Sequence, residues 1–245
     1  MIPEIVLRDV TVDYSRRSRL SRVQNVIRAL DHVTLDIGER AGMGLAGSSG
    51  CGKSTLARCI AGWQRPSSGE IVRHVAVQLV MQDPGASLNP RFTAFEIVEE
   101  PLRIRGLQEG SARRVSGLLE RMGLRNPGRR AGEFSGGERA RLAIARALAA
   151  MPEIGKGLLI LDESLSSLDP ETRDRILGML RDLQEEQPLS YLFLSHDLDL
   201  LAGVVNDLVI LHEGRIIERG APREILERPR HEFTALLVDC MVTRN

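Results

Sequence analysis

One run of nine residues constrains this chain more than any other: Gly47-Ser48-Ser49-Gly50-Cys51-Gly52-Lys53-Ser54-Thr55. It fits the spacing G-x-x-x-x-G-K-[ST], and its flanks supply the context that the spacing needs. Met43–Ala46 before it reads as a buried strand, and Lys53–Ala61 after it as a helix with Leu56, Ala57 and Ile60 on one face. The glycines let the backbone wrap closely, so that successive N–H groups face phosphate oxygens. The N-terminus of the helix adds a partial positive charge. Lys53 can neutralise the β- and γ-phosphates, and the Ser54 hydroxyl can ligate Mg²⁺. The loop predicts a nucleoside triphosphate site and says nothing of what hydrolysis drives.

The rest of the chain alternates as such a loop requires. Strand-like runs fall at Ile5–Val12, Val33–Ile37, Val75–Met81, Leu158–Leu161, Tyr191–Leu194, Leu208–Leu211 and Arg215–Glu218. Helical patterns cover Pro170–Gln187 and Pro222–Arg228. From Asp83 to about Met151 helices dominate (Ala94–Pro101, Ser111–Met122, Gly136–Ala150), separated by Gly/Pro/Asn turns. This order predicts an α/β core with a mainly parallel sheet, interrupted by a helical insertion. Residues 1–82 and 152–245 would form the core, and 83–151 a helical subdomain.

Composition narrows the function. Aromatic residues are only 3%, so the core must rest on Leu, Ile, Val and Ala. Basic and acidic residues balance at 33 each, without the basic excess expected of a nucleic-acid-binding protein. Cys51, Cys59 and Cys240 form no metal-binding spacing and read as thiols of a reducing compartment. The N-terminus lacks the apolar region of a signal peptide, and no apolar stretch approaches the roughly 20 residues that span a bilayer. A cytoplasmic chain is expected, with any membrane role exercised through a partner. The basic cluster Arg16-Arg17-Ser18-Arg19 reads as a solvated loop.

Three further constellations suit phosphate chemistry. Gly157–Glu163 is an apolar strand ending in two acids; Asp162 can hold Mg²⁺ through water, and Glu163 can orient or deprotonate an attacking water. Tyr191–Asp197 is another apolar strand ending in polar residues, where His196 can donate to a γ-phosphate. Phe134-Ser135-Gly136-Gly137-Glu138 opens a helix, and its hydroxyl, free N–H groups and dipole make an anion site. A plain helix cap would explain that last motif equally well.

In this order the elements resemble the ABC ATPase family across essentially the whole chain. The resemblance implies a P-loop NTPase (RecA-like) core, a small antiparallel β-subdomain and an inserted helical subdomain. It implies that Gln82 touches Mg²⁺ and the attacking water, that Ser135–Glu138 is the signature loop, that Ser167–Asp169 is the D-loop, and that His196 is the switch histidine. Tyr14 lies where the family places an aromatic against adenine. Two such domains would pack head to tail, each ATP lying between the phosphate loop of one and the signature loop of the other.

Within the family, Val80–Arg91 with Glu99-Glu100-Pro101-Leu102, and the tail Pro229–Leu237, resemble the oligopeptide, dipeptide and nickel importers. That likeness implies an ATPase that powers uptake of a peptide, nickel or a metal chelate. Its partners would be two transmembrane permease subunits, a second ATPase that is identical or homologous, and, indirectly, an extracytoplasmic solute-binding protein. The chain would sit peripherally on the cytoplasmic face of the inner membrane. A soluble role, in phosphonate breakdown or as a translation or DNA-repair ATPase, is the competing reading. The sequence departs from the family pattern at Phe134, Glu138 and Ser164, and Gly69–Val80 is short enough to suggest a partly deleted hairpin.

Overall fold

The computed structural model describes residues 3–16, 25–83, 85–107, 109–152, 156–165 and 168–242. Arg17, Ser18 and Arg19 of the basic cluster, Pro84 and Ser167 lie outside the described residues. In chain order the elements are β1 (Ile5–Arg16), β2 (Asn25–Ile37), β3 (Gly42–Ala46), α1 (Lys53–Ile60), β4 (Ser68–Arg73), β5 (Ala76–Val80), α2 (Ala94–Ile104), α3 (Ser111–Arg121) and α4 (Gly136–Ala149). They continue with β6 (Gly157–Asp162), α5 (Pro170–Glu186), β7 (Leu189–Ser195), α6 (Leu198–Ala202), β8 (Asp207–His212), β9 (Arg215–Gly220), α7 (Pro222–Glu227) and α8 (Glu232–Val242). The chain divides into two compact units, Met1–Val75 with Tyr191–Asn245, and Ala76–Ser190.

The first unit holds two sheets. One is antiparallel, in the order β2-β1-β4, and β4 supplies the edge that the short Gly69–Val80 stretch left in question. In the other, β3 lies parallel to both β7 and β8, while β9 turns back antiparallel to β8. Leu45, Leu192, Leu208, Val209 and Ile210 are fully buried, as continuous apolar strands of a parallel sheet must be. β1 and β2 are longer than their hydropathy suggested. The added residues are 13–16 of β1 and 25–32 of β2; Asp13 pairs with Arg28 and Tyr14 with Ile27, and the charged Asp13, Arg28 and Asp31 interrupt the apolar pattern.

The second unit pairs β5 with β6 in parallel and carries α2, α3, α4 and α5. Between residues 81 and 156 the described residues form helices and no strand. α2 begins on a capping box: Thr93 accepts from the Glu96 amide, and the Glu96 carboxylate accepts from the Thr93 amide. It runs through Pro101 and ends three residues later at Ile104, since a proline near the last turn removes one N–H without stopping the helix at once. At the far end of α4, Arg105 and Arg114 donate to the carbonyls of Leu148, Ala150 and Met151, satisfying acceptors that the helix leaves open.

Candidate functional site

In the first unit the phosphate loop leaves the carboxyl end of β3. Two of its glycines are dictated by close approach. A Cβ on Gly47 would collide with the Leu211 carbonyl of β8, and one on Gly52, at φ 112°, with the Ala29 carbonyl of β2. Gly47 and Cys51–Lys53 are buried, whereas Ser48, Ser49 and Gly50 face solvent. The buried Lys53 ammonium donates to the Gly47 carbonyl at 2.8 Å and to the Ser48 carbonyl at 3.1 Å. A cation held this way on loop carbonyls is poised to exchange them for phosphate oxygens. α1 has no side-chain cap at Gly52, and its N-terminus carries the positive end of the helix dipole. Ser54 and Thr55 are half-buried in its first turn.

Tyr14, near the end of β1, is 40% exposed. Its hydroxyl donates to Gln64 Oε1 at 2.8 Å and lies 3.3 Å from Thr55 Oγ1, so the ring is anchored beside the phosphate loop. Register places His196 there too. Ala46 of β3 pairs with Ser195 of β7, so Gly47 and the exposed His196 leave neighbouring strands at the same level. The next residue, Asp197, caps α6 through the Leu200 amide at 3.0 Å.

In the second unit, Val80 pairs with Leu161, so Gln82 and Glu163 follow their strands at equal depth. Gln82 Nε2 donates to Glu163 Oε2 at 2.9 Å. Glu163 adopts φ 47°, a left-handed conformation that a non-glycine residue takes only under constraint. Asp162, the last residue of β6, is buried. Ser135 caps α4 in a capping box with Glu138: its hydroxyl accepts from the Glu138 amide at 3.2 Å, and the Glu138 carboxylate accepts from the Ser135 amide at 2.8 Å. Gly136 and Gly137 form the first turn of the helix. Asp169 caps α5 through the Thr172 amide at 2.9 Å.

Sequence reasoning missed two supporting residues. Gln64 anchors Tyr14, as above. Arg129 donates to Glu138 Oε1 at 3.0 Å, to the Glu133 carbonyl, and lies 4.5 Å over the Phe134 ring. The Ser135 amide, with Arg129 assisting, holds the Glu138 carboxyl below its ordinary range. No signal marked Arg129 among the other arginines, because its partners converge only in the fold.

A glycine-rich loop between a buried parallel strand and a helix, closed on a buried lysine, defines a P-loop nucleotide-binding domain. The chain belongs to the ABC transporter family, whose sequence model matches residues 30–166. It is 36% identical over 96% of its length to the glutathione import ATP-binding protein GsiA of Salmonella choleraesuis, and spans 41% of that protein. It is 35% identical over 97% of its length to the probable D,D-dipeptide transport ATP-binding protein DdpF of Escherichia coli, and spans 78% of it. Among solved structures, the ATP-binding cassette MJ0796, a dimer in a post-hydrolysis state bound to ADP and Pi, superposes with a TM-score of 0.76. That match has 26% identity and covers 89% of this chain and 99% of the other. No helix among the described residues is long and apolar enough to cross a membrane.

Proposed function

We propose that this chain binds and hydrolyses ATP to power uptake of a small peptide through a membrane permease. The caged Lys53 at the mouth of the phosphate loop is the observation that carries the reading. In this reading Gly47–Thr55 embrace the phosphates, and the Tyr14 ring stacks on adenine. Glu163, oriented by Gln82, positions the attacking water and takes its proton, while His196 donates to the γ-phosphate as charge develops there. Ser135, Gly136, Gly137 and Glu138, with Asp169, serve the ATP of a second copy or a homologous ATPase. One hydroxyl (Ser54), one buried carboxylate (Asp162) and one amide (Gln82) suit Mg²⁺, which takes few protein ligands and keeps water and phosphate oxygens. When bound, that ion would screen the phosphate charge.

Of the cargoes that the sequence allowed, the names of the relatives favour peptides, glutathione being a tripeptide. The helical stretch 83–151 would receive the permease, which keeps the chain peripheral on the cytoplasmic face. The test is reconstitution with candidate permease subunits and a peptide-binding solute-binding protein. Di- or tripeptide-loaded binding protein should stimulate ATP hydrolysis. Failure to associate with any permease, or stimulation by nickel alone, would overturn the peptide-import reading.

A further inference from the structure

One carboxylate in the first unit is tied to both edges of the nucleotide site without touching either. Asp31 of β2 is buried, and two guanidiniums converge on it. Arg28 Nη1 donates to its Oδ1 at 2.9 Å, and Arg215 donates to its Oδ2. Both arginines hold the Asp31 carboxyl below its ordinary range, Arg215 most strongly. His32 Nε2 lies 3.7 Å from the same carboxylate, while its Nδ1 bonds to Asp9.

From Asp31 two paths lead to the site. Arg215 is the first residue after the β8–β9 turn, Glu213-Gly214, in which both residues are left-handed and His212 pairs with Arg215. That is a two-residue hairpin turn with little freedom of its own. Its Gly214 carbonyl accepts from the Asp31 amide at 2.9 Å, and its Gly214 amide donates to the Cys51 carbonyl of the phosphate loop at 3.0 Å. The turn also fits tightly against β2, because a Cβ on Gly214 would meet the Ala29 carbonyl at 2.9 Å. Along the second path, Arg28 bonds to both oxygens of Asp13 at 2.9 and 3.2 Å, steadying β1 one residue before Tyr14.

We propose that Asp31 is a positioning residue for nucleotide binding, bracing the phosphate loop at Cys51 through the Arg215 turn and the Tyr14 strand through Arg28. This rests on the nucleotide-site reading above, but its central claim concerns loop order and can be read without nucleotide. A role confined to holding the sheets together would loosen the unit as a whole. A positioning role loosens the loop first, since local openings are cheaper than global ones.

Cysteine labelling separates the two, because Cys51 sits at the braced point and Cys59 is buried further along α1. In full-length protein carrying Cys240→Ser, Asp31→Ala should raise the maleimide labelling rate of Cys51 about tenfold and leave Cys59 unchanged. ATP affinity should fall by about the same factor. Asp207→Ala, which breaks the Arg219 pair on the same hairpin, is the control and should change neither. Adding Arg215→Ala to Asp31→Ala should cause no further change, as for two members of one network. Equal acceleration at Cys51 and Cys59, wild-type labelling at Cys51, or an equal effect of Asp207→Ala would each overturn the proposal. If Asp31→Ala does not fold, Arg215→Gln reads the same path with the Arg28 pair intact. A wild-type chain that binds no ATP would sink the nucleotide reading, while the labelling result would still judge the brace.

Discussion

Glu163 carries a conformational penalty that an ordinary strand end would avoid. A left-handed non-glycine residue costs about 1–2 kcal/mol, and here it sets the carboxylate against the Gln82 amide rather than beside Asp162. This separates the two adjacent acids, one buried at the strand end and one half-buried against Gln82. Glu163→Gln should therefore keep ATP affinity within about twofold while hydrolysis falls by roughly 10²–10⁴, the usual contribution of a positioned general base. Single-turnover kinetics check this, and wild-type turnover would remove Glu163 from the role. The residues of the phosphate loop were legible in the sequence because the chemistry there is local: nine consecutive positions make the whole cradle. Gln64 and Asp31 were not, since their partners Tyr14 and Arg215 stand 50 and 184 residues away. Arg129 is only nine residues from Glu138, but no local pattern separates it from the other arginines until the turn between them folds.

At the scale of elements, the start of α4 joins one observed role to one proposed role in a single hydroxyl. Ser135 caps the helix, and it is also the proposed ligand for a second copy's ATP. The two roles can be separated. Ser135→Ala should cost about 1 kcal/mol in denaturant unfolding. Ser135→Asp should cap as well as serine, leaving stability within about 0.5 kcal/mol, yet abolish ATP turnover by repelling phosphate. Retained turnover in Ser135→Asp would leave the motif as a cap alone. The same box predicts a pH dependence. Glu138 has its folded pKa depressed below the ordinary 4.5, chiefly by the Ser135 amide. Its contribution is therefore complete above about pH 4.5 and lost as pH falls through the folded value. Glu138→Ala should flatten that part of the stability profile measured by thermal unfolding. The cap at Ser135 was legible in the sequence, and the structure adds Glu138 as its reciprocal partner and Arg129 as support.

At the scale of the whole molecule, the proposed mechanism requires a second ATPase, because Ser135–Glu138 and Asp169 have helices to cap but no nucleotide of their own in this reading. Glu163→Gln should accumulate as an ATP-dependent dimer in gel filtration and return to monomer when ATP is removed. A monomer at saturating ATP would refute a self-partner and point to a homologous subunit. The alternation of strands and helices, the mainly parallel pairing and the order of the phosphate-binding motifs were all determined by the sequence itself. Short-range hydropathy periods and backbone-accessible glycines encode them within a few residues. Tertiary structure alone decided that β4 joins β1 in the small antiparallel sheet and that the β1–β2 pairing extends as far as Arg16 and Asn25. It alone decided that Gln82 reaches Glu163, and that Asp31, Arg28 and Arg215 meet behind the loop. Those contacts depend on register and on ion pairs between distant segments, whose energies exist only once the strands are side by side.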